Sequence, residues 1–375
     1  MSINPHIADL KKIGTSVWLD DLSTDLLDSG AVDTFINEMG VVGITTNPSI
    51  FEKSITMSST YDATIAQCAA AGESASEATF SLICKDVDEA CKKLLPIWES
   101  SGGIDGRVSI EVEPGFAHDT ANTVKQARAL WERLSHPNLL IKVPATSVGI
   151  TAIQQLTSEG ISVNTTLIFS VECYEAVVNA YIEGLREAQN NGLDISTIVS
   201  VASIFVSRLD TVVDKQLTDI GTERALSLRG KAGITNCRLA YDIFVQTYKQ
   251  GGKFDELAAL GGHPQRLLWA STSVKNPAYP DTLYVVELAG PHTVNTLPQR
   301  TLKAVADHGD IKGDTLTGKS MEAAAIWQAI KDEGVDINAV VQMLEKQGVA
   351  AFIESWKNLV ASVESRMKDM QAIIP

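Results

Sequence analysis

The stretch NLLIKVPATSVGI (138–150) reads as an apolar β-strand that is interrupted by Lys142 and ended by Pro144. Lysine is among the residues that are least often buried in proteins. On the edge of a sheet, a lysine keeps neighbouring chains from pairing with the strand. In the interior of a protein, the same amine can be kept out of water and made reactive. The arrangement of the other strands decides between these two interpretations.

Short apolar runs alternate with helical patterns along the chain, without a low-complexity linker between them. We count eight such runs: TSVWLDDL (15–22), VVGITTNP (41–48), VSIEVEP (108–114), LLIKVPAT (139–146), ISVNTTLIF (161–169), IVSVASIFV (198–206), RLLWAST (266–272) and TLYVVEL (282–288). Strands that are mostly apolar on both faces and alternate with helices indicate a parallel sheet covered on both sides. Eight such units predict an α/β fold of the (β/α)₈ TIM-barrel type. The alternative is an open Rossmann-type sheet, but no G-x-G-x-x-G motif follows any run.

The segments between the runs predict helices. Residues 120–134 follow Asp119, a good N-cap, and residues 170–190 begin with a serine. The long gaps at 49–107 and 207–265 each have room for about two or three helices. We therefore expect additional helices in these two connections of the barrel.

The predicted barrel core covers roughly residues 15–290, and a helical segment follows at about 300–372. The segment SVKNPAYPD after the seventh run is too short for a full helix, so we predict a loop. Loops at the carboxyl ends of barrel strands carry function. With 375 residues and 45% hydrophobic content, the chain can form one large barrel, and we predict a single domain over residues 1–375.

The composition limits the partners and the compartment. The formal net charge is -15 without a long basic run, which argues against nucleic acid and anionic membranes as partners. An anionic substrate would therefore need a local cluster of cations. The five cysteines include no C-x-x-C pair, which favours reduced thiols in a cytoplasmic protein. We find no signal-peptide pattern and no apolar run of membrane-spanning length.

Strand periodicity predicts which side chains point into the barrel. Ser109 and Glu111 share one face of the third run, and Lys142 faces opposite to Ile141 and Val143 in the fourth. Because the apolar faces should meet the helices, we expect the polar set to point inward. A closed barrel has no edge, so the edge-strand interpretation of the lysine no longer applies.

Two interpretations of an inward Lys142 remain. It can form a buried ion pair with a carboxylate that only packs the interior, although such pairs often add little stability. Alternatively, a low-dielectric pocket disfavours the ammonium form and frees a neutral amine that attacks a carbonyl. The resulting imine, once protonated, is an electron sink that allows cleavage of a neighbouring carbon–carbon bond without metal or cofactor.

The sequence offers no motif for a competing chemistry. The six histidines show neither HxH nor HExxH spacing, so we expect no metal. Glycine loops of the Walker or kinase type and a G-x-S-x-G elbow are also absent from the sequence. We therefore expect no cofactor.

Four motifs carry a resemblance to a known family: GITTNPSIF (43–51), LLIKVPATSVGITAIQQL (139–156), NTTLIFS (164–170) and SIFVSR (203–208). In their order and spacing, the chain resembles the transaldolase family over nearly its whole length. The resemblance implies transfer of a dihydroxyacetone unit in the pentose phosphate pathway. The donor would be sedoheptulose 7-phosphate or fructose 6-phosphate, and the acceptor erythrose 4-phosphate or glyceraldehyde 3-phosphate.

The resemblance also implies roles for individual residues. Lys142 matches the lysine that forms the imine, and Asp20 matches the acid/base aspartate that takes the proton from the C4 hydroxyl. Glu111 and Thr166 match the pair that orders a water for proton transfer. Matches to substrate-binding positions are Asn47, Asn164, Ser203, Phe205, Arg208, Ser271 and Lys275. Parity within the first run alone does not decide between Asp20 and Asp21.

Several alternatives stay open from the sequence. Family members commonly have an S-x-R pattern after the seventh strand, whereas this chain has Ser271 followed by Lys275 at a different spacing. A class I fructose 6-phosphate aldolase would share the lysine but release its product to water. A non-catalytic barrel that binds sugar phosphates would need neither acid nor base. The sequence is compatible with a homodimer or a monomer.

Overall fold

A computed structural model gives the structure of residues 3–373, with side chains described as far as residue 370. Eight parallel strands form a closed barrel in which they neighbour one another in chain order. The strands are β1 (Thr15–Leu19), β2 (Gly43–Ile44), β3 (Arg107–Glu111), β4 (Leu139–Pro144), β5 (Val163–Ile168), β6 (Ser200–Phe205), β7 (Arg266–Ala270) and β8 (Thr293–Leu297). The predicted (β/α)₈ fold class is confirmed.

Helices surround the barrel and fill its long connections. The helices in the described residues are α1 (Pro5–Ile13), α2 (Thr24–Asp28), α3 (Ala31–Asn37), α4 (Pro48–Met57), α5 (Asp62–Ala70), α6 (Ala75–Ser100), α7 (Thr120–Leu134), α8 (Ser147–Ser158), α9 (Val171–Asn190), α10 (Ser207–Ile220), α11 (Glu223–Ser227), α12 (Ala232–Tyr248), α13 (Asp255–Ala259), α14 (Leu283–Val286), α15 (Gln299–His308), α16 (Ser320–Asp332) and α17 (Ile337–Ile373). Short 3-10 turns lie at Ser59–Tyr61, Pro114–Phe116 and Ile195–Thr197.

The two helices predicted from capping signals are confirmed. The Asp119 side chain accepts a hydrogen bond from the Asn122 N–H at the start of α7, and Ser170 accepts one from the Cys173 N–H at the start of α9. The connection from β2 to β3 contains three α-helices, as expected. The connection from β6 to β7 contains four, more than predicted, because α11 and α13 are single short turns of five residues each.

The eighth strand lies later in the chain than predicted, so the run TLYVVEL (282–288) is a wrong assignment. This run forms α14 and the turn after it, and β8 has the sequence TVNTL. β8 pairs with the whole of β1, with Thr15 opposite Thr293, and closes the barrel. The barrel therefore ends at residue 297, and the predicted limit near residue 290 is wrong.

Packing explains this difference. The residues of α14 are apolar with high β-propensity, but Tyr284 and Leu288 join a core built from α9, α12 and β7. β8 instead carries threonine or asparagine on both of its faces, so a search for apolar runs passes over it. Its hydroxyls bond within the barrel, since Thr293 Oγ1 lies 3.0 Å from Thr15 Oγ1. Tertiary context has outweighed local propensity here.

Side chains alternate between the barrel interior and the surrounding helices. Ile141 and Val143 pack in the core between β4 and its helices, whereas Trp18 and Leu140 belong to a separate interior cluster. Trp18 explains why β2 carries a glycine. A Cβ atom on Gly43 would lie 2.5 Å from the Trp18 ring, so a larger residue would force the strands apart.

The long C-terminal helix α17 crosses the barrel on the side of the strand carboxyl ends. It runs for 37 residues and packs against α4, α5, α6 and α10. The Trp356 ring packs at a tilt against Phe80 with 4.7 Å between ring centroids, and Ser355 Oγ lies 2.8 Å from Ser49 Oγ. The helical segment predicted beyond residue 300 is thus confirmed. Within residues 3–373, we find no helix with the length and apolar character needed to span a membrane.

Candidate active site

The carboxyl ends of the strands open into a cavity of about 590 Å³. It has the location that active sites have in barrels of this type. Most of the predicted site residues line it: Asp20, Asn47, Lys142, Ser203, Phe205, Arg208, Ser271 and Lys275. The other three, Glu111, Asn164 and Thr166, lie behind this wall. The residues that line this cavity therefore come from five strands or strand ends.

Lys142 is held near the carboxyl end of β4 and points into the barrel. Its side chain is 6% exposed, and its Nζ donates a hydrogen bond to the Thr46 carbonyl over 2.9 Å. Glu111 is its register partner on β3, and Nζ lies 3.5 Å from Glu111 Oε2. This distance is an ion-pair contact that is longer than an ordinary hydrogen bond. The predicted inward orientation of both side chains is confirmed.

Burial changes the acidity of the two carboxyl groups beside the lysine. Burial raises the pKa of Glu111 to about 7, against the opposing effect of the Lys142 charge. The pKa of Asp20 is also raised by burial, although the Lys142 charge and a 2.8 Å hydrogen bond from Thr45 oppose the increase. Each of these groups can therefore accept or release a proton closer to neutral pH than an exposed carboxyl group can.

The raised pKa of Glu111 predicts a pH-dependent effect on stability. The unfolded chain loses this proton near the ordinary pKa of about 4.5, whereas the folded protein keeps it up to about pH 7. Folding is therefore disfavoured by this group as the pH rises through that window. We expect Glu111→Gln to gain stability relative to wild type between pH 5 and pH 8, by on the order of 1 to 3 kcal/mol. Urea unfolding of both proteins at pH 5 and at pH 8 checks this. The same difference in unfolding free energy between variant and wild type at the two pH values would contradict it.

The geometry separates Asp20 from Asp21. Asp20 follows β1 directly and accepts the Thr45 hydrogen bond. The charge of Lys142 acts on this carboxyl group and opposes the increase of its pKa. Asp21 instead accepts a 2.8 Å hydrogen bond from Gln299 Nε2. Both carboxyl groups line the cavity, but Asp20 is the one that is coupled to the lysine.

Polar side chains of β3, β5 and β6 form a chain of hydrogen bonds inside the barrel. Ser203 Oγ donates to Asn164 Oδ1 over 2.7 Å, and Asn164 Nδ2 donates to Ser109 Oγ over 3.0 Å. Asn164 is fully buried behind Ser203, which lines the cavity. These bonds fix both side chains in one orientation.

Thr166 lies near the end of β5, where the strand is irregular. The pairing of β5 with β6 shifts between Thr165 and Ile168, and Leu167 has a φ of 59°, which is strained for a residue with a side chain. Among the described residues, the buried Thr166 hydroxyl and Glu111 Oε2 have no hydrogen-bond partner. Two unsatisfied polar atoms inside the same barrel are costly to bury unless a further group binds them.

Two cations, Arg208 and Lys275, also line the cavity. Arg208 lies in the first turn of α10, with its guanidinium carbon 5.2 Å from the centre of the Phe205 ring. Lys275 comes from the loop after β7, and its Nζ donates to Ser273 Oγ over 2.6 Å. Partial burial, and next the charge of Arg208, lower the pKa of Lys275. Ser273 occupies the third position of the S-x-R pattern, so Lys275 brings its charge beside the place where family members commonly have arginine.

Ser271 and Asn47 have structural contacts of their own. Ser271 directly follows β7 with a φ of 55°, and its Oγ lies 2.9 Å from Ser207 Oγ. The Asn47 side chain accepts a 3.1 Å hydrogen bond from the Ile50 N–H and so caps α4. Its Nδ2 group remains available to a ligand, since Asn47 also lines the cavity.

Two residues that complete the cavity could not be predicted from sequence patterns. Phe352 of α17 covers it, with its ring centre 5.9 Å from both Lys142 Nζ and the guanidinium carbon of Arg208. Lys53 of α4 adds a third cation at the wall. No local pattern predicts that a helix so late in the chain returns to the barrel mouth. The side chains of residues 3–370 show no group of three or more histidines, cysteines or acidic residues that could hold a metal.

Comparison with known proteins agrees with the geometry. A family model described as Transaldolase/Fructose-6-phosphate aldolase matches residues 17–363. The chain belongs to this family. A transaldolase of Mycobacterium bovis is 49% identical over 364 residues, covering 97% of this chain and 98% of the relative. Transaldolases of Mycolicibacterium paratuberculosis and Mycobacterium leprae are 50% and 49% identical over 97% of this chain, covering 98% and 97% of their own lengths.

Family membership confirms the transaldolase function that was predicted from the sequence, and with it an enzyme of the transferase class. The transaldolase/fructose-6-phosphate aldolase match covers the barrel and most of α17. The roles of individual residues are inferred from their positions in and around the cavity.

Proposed function

We propose that this enzyme transfers a dihydroxyacetone unit from a ketose phosphate to an aldose phosphate through a Schiff base on Lys142. The observation that carries the proposal is the buried Lys142 amine, 3.5 Å from Glu111 and near Asp20, in a cavity that Arg208 and Lys275 also line. A structural ion pair would need neither the cavity nor the second carboxyl group. The donors are sedoheptulose 7-phosphate or fructose 6-phosphate, within the pentose phosphate pathway.

The carboxyl groups divide the proton transfers between them. The Lys142 amine attacks the C2 carbonyl of the donor, and loss of water gives the imine. Asp20 then takes the proton of the C4 hydroxyl while the C3–C4 bond breaks and the aldose leaves. Glu111, with its pKa raised to about 7, can release and recover a proton near neutral pH. We assign to Glu111 and Thr166 the water used when the imine forms and is hydrolysed, because both present unsatisfied oxygens.

The rest of the cavity binds the sugar phosphate. Arg208 can grip two phosphate oxygens with its planar guanidinium, and Lys275 supplies a second charge. Such a local cluster is needed because the whole chain carries a net charge of -15. Hydroxyl groups of the dihydroxyacetone unit are assigned to Asn47, Asn164 and Ser203, with Phe205 and Ser271 completing the wall.

Shielding of the intermediate distinguishes transfer from hydrolysis. After cleavage, the enamine on Lys142 must meet an aldehyde acceptor before water hydrolyses the imine. The Phe352 ring lies over the lysine and restricts access of water from the side of α17. The acceptor is erythrose 4-phosphate or glyceraldehyde 3-phosphate.

A class I fructose 6-phosphate aldolase is the second candidate, because the matching family description names that activity too. The proteins named transaldolase that are about half identical over nearly the whole chain favour the transferase. We predict that consumption of fructose 6-phosphate requires erythrose 4-phosphate and rises at least about tenfold when it is added. Cleavage at full rate without an acceptor would support the aldolase instead. A coupled assay of released glyceraldehyde 3-phosphate measures both.

We further propose that residues 1–375 form one domain, because the family match spans 17–363 and α17 packs against the barrel helices. We also propose a cytoplasmic location, where the five free cysteines would stay reduced.

A further inference from the structure

Helix α10, which begins beside Arg208, carries two aspartates one turn apart on the same face. Asp210 is 2% exposed, and Asp214 lies four residues further along. Like charges at this spacing repel each other and destabilise a helix. Each carboxylate must therefore be compensated by bonds to other elements.

The two aspartates are bonded in the same way. Asp210 accepts hydrogen bonds from the Gly233 N–H and from the Tyr284 hydroxyl, both over 2.7 Å. Asp214 accepts one from the Gly230 N–H over 2.7 Å and one from the Tyr279 hydroxyl over 2.6 Å. In each case, the glycine belongs to the start of α12 or the turn before it, and the tyrosine belongs to the connection between β7 and β8. We call these six residues the aspartate–tyrosine network.

The close approach of Tyr279 to Asp214 depends on Gly230. This glycine has a φ of 73°, and a Cβ atom there would lie 2.9 Å from the Tyr279 ring. A side chain at this position would therefore push the ring away from Asp214. The glycine in the turn before α12 therefore leaves room for the tyrosine ring.

The network joins the two segments that carry the phosphate-side cations. Arg208 lies two residues before Asp210 in α10, and Lys275 lies four residues before Tyr279 in the loop after β7. Ser207 and Ser271 connect the same two segments nearer the barrel, with 2.9 Å between their hydroxyls. The positive charges of Arg208 and Lys275 repel each other. Among the described residues, the hydrogen bond to Ser273 is the only side-chain bond of the Lys275 amine.

We infer that Asp214 and Tyr279 are positioning residues, which hold the Lys275 loop against α10 so that Lys275 and Arg208 grip one phosphate group. The inference rests on the proposed function of this cavity as a sugar-phosphate site. Neither residue lines the cavity, so both act through the cations. Without the Tyr279 hydroxyl, the loop can relax and the two charges can move apart.

The test measures binding of inorganic phosphate by calorimetry. We expect Tyr279→Phe to raise the Kd by about threefold to tenfold, the effect of one lost hydrogen bond. In the Lys275→Met background, the same substitution should have no further effect, because residues that act through one another are not additive. Tyr241→Phe is the matched control, since it loses a hydroxyl bonded to the Pro291 carbonyl outside the network. It should bind phosphate as wild type does.

An unchanged Kd in Tyr279→Phe would overturn the inference. An equal weakening with and without Lys275 would overturn it too, because the effect would then be general loosening. Tyr279 is only half-buried, and circular dichroism checks that the variant is folded. Asp214→Ala removes the same bond from the other side and should reproduce the result.

Steady-state kinetics distinguish a failure of this inference from a failure of the proposed function. In Tyr279→Phe, the KM for fructose 6-phosphate should rise by a similar factor, while kcat stays within about twofold of wild type. Lack of transaldolase turnover in the wild-type chain would refute the proposed function. Phosphate binding by calorimetry does not depend on turnover, so the two failures are distinguishable.

Discussion

Lys142→Arg is expected to lower kcat by about 10⁴-fold or more while the barrel stays folded, because a guanidinium does not form the imine. Arginine keeps the positive charge opposite Glu111, so the buried carboxyl group retains a partner. A loss of activity in this variant therefore reports on the chemistry of the amine. The coupled assay with fructose 6-phosphate and erythrose 4-phosphate measures kcat, and circular dichroism checks the fold.

Reduction with borohydride in the presence of fructose 6-phosphate locates the imine directly. Wild-type protein should gain the mass of the reduced adduct on the peptide that contains Lys142, and Lys142→Arg should not. Lys93→Arg is the control, because Lys93 forms an ion pair with Asp33 outside the cavity and should label like wild type. An adduct on a different lysine would refute the assignment of the imine to Lys142. No adduct in the wild type would refute the Schiff-base mechanism and favour a barrel that only binds sugar phosphates.

Asp20→Asn is expected to lower kcat by about 10²- to 10⁴-fold, the usual contribution of a general acid or base. An amide cannot take the proton of the C4 hydroxyl, so carbon–carbon cleavage slows while imine formation continues. Borohydride should therefore still trap an adduct in this variant. That result would show that Lys142 acts in imine formation and Asp20 in the later cleavage of the carbon–carbon bond.

Asp21→Asn provides the matched comparison on the neighbouring residue. Its side chain bonds to Gln299 and is not placed against the lysine, so we expect kcat to change by less than about threefold. If Asp21→Asn slows turnover and Asp20→Asn does not, the assignment of the base is reversed. Single-turnover measurements with trapping distinguish slow cleavage from slow imine formation.

The strand alternation of the sequence was sufficient to predict the interior of the barrel. The register that places Glu111 beside Lys142 follows from parity and from adjacent parallel strands. The packing of Ile141 and Val143 against the helices follows from the same pattern. Asp20 could be preferred over Asp21 only by resemblance, since the Thr45 and Gln299 contacts that distinguish them come from distant parts of the chain.

Two features could not be predicted because they depend on packing over long sequence distances. The strand β8 carries polar residues on both faces and is defined by its pairing with β1. The apolar run before it forms α14, where the Tyr284 hydroxyl finds a carboxylate partner on α10. The position of Phe352 over Lys142 depends on how α17 packs across three helices, which no local pattern encodes.

The position of α17 has a consequence for the newly made chain. Lys142 leaves the ribosome well before β8, which closes the barrel on β1, and before Phe352, which covers the amine. At usual rates of synthesis, the interval between Lys142 and Phe352 is on the order of 10 to 40 s. During this time, the chain lacks the residues that complete the pocket around the amine. The pocket is therefore assembled only when translation is nearly finished.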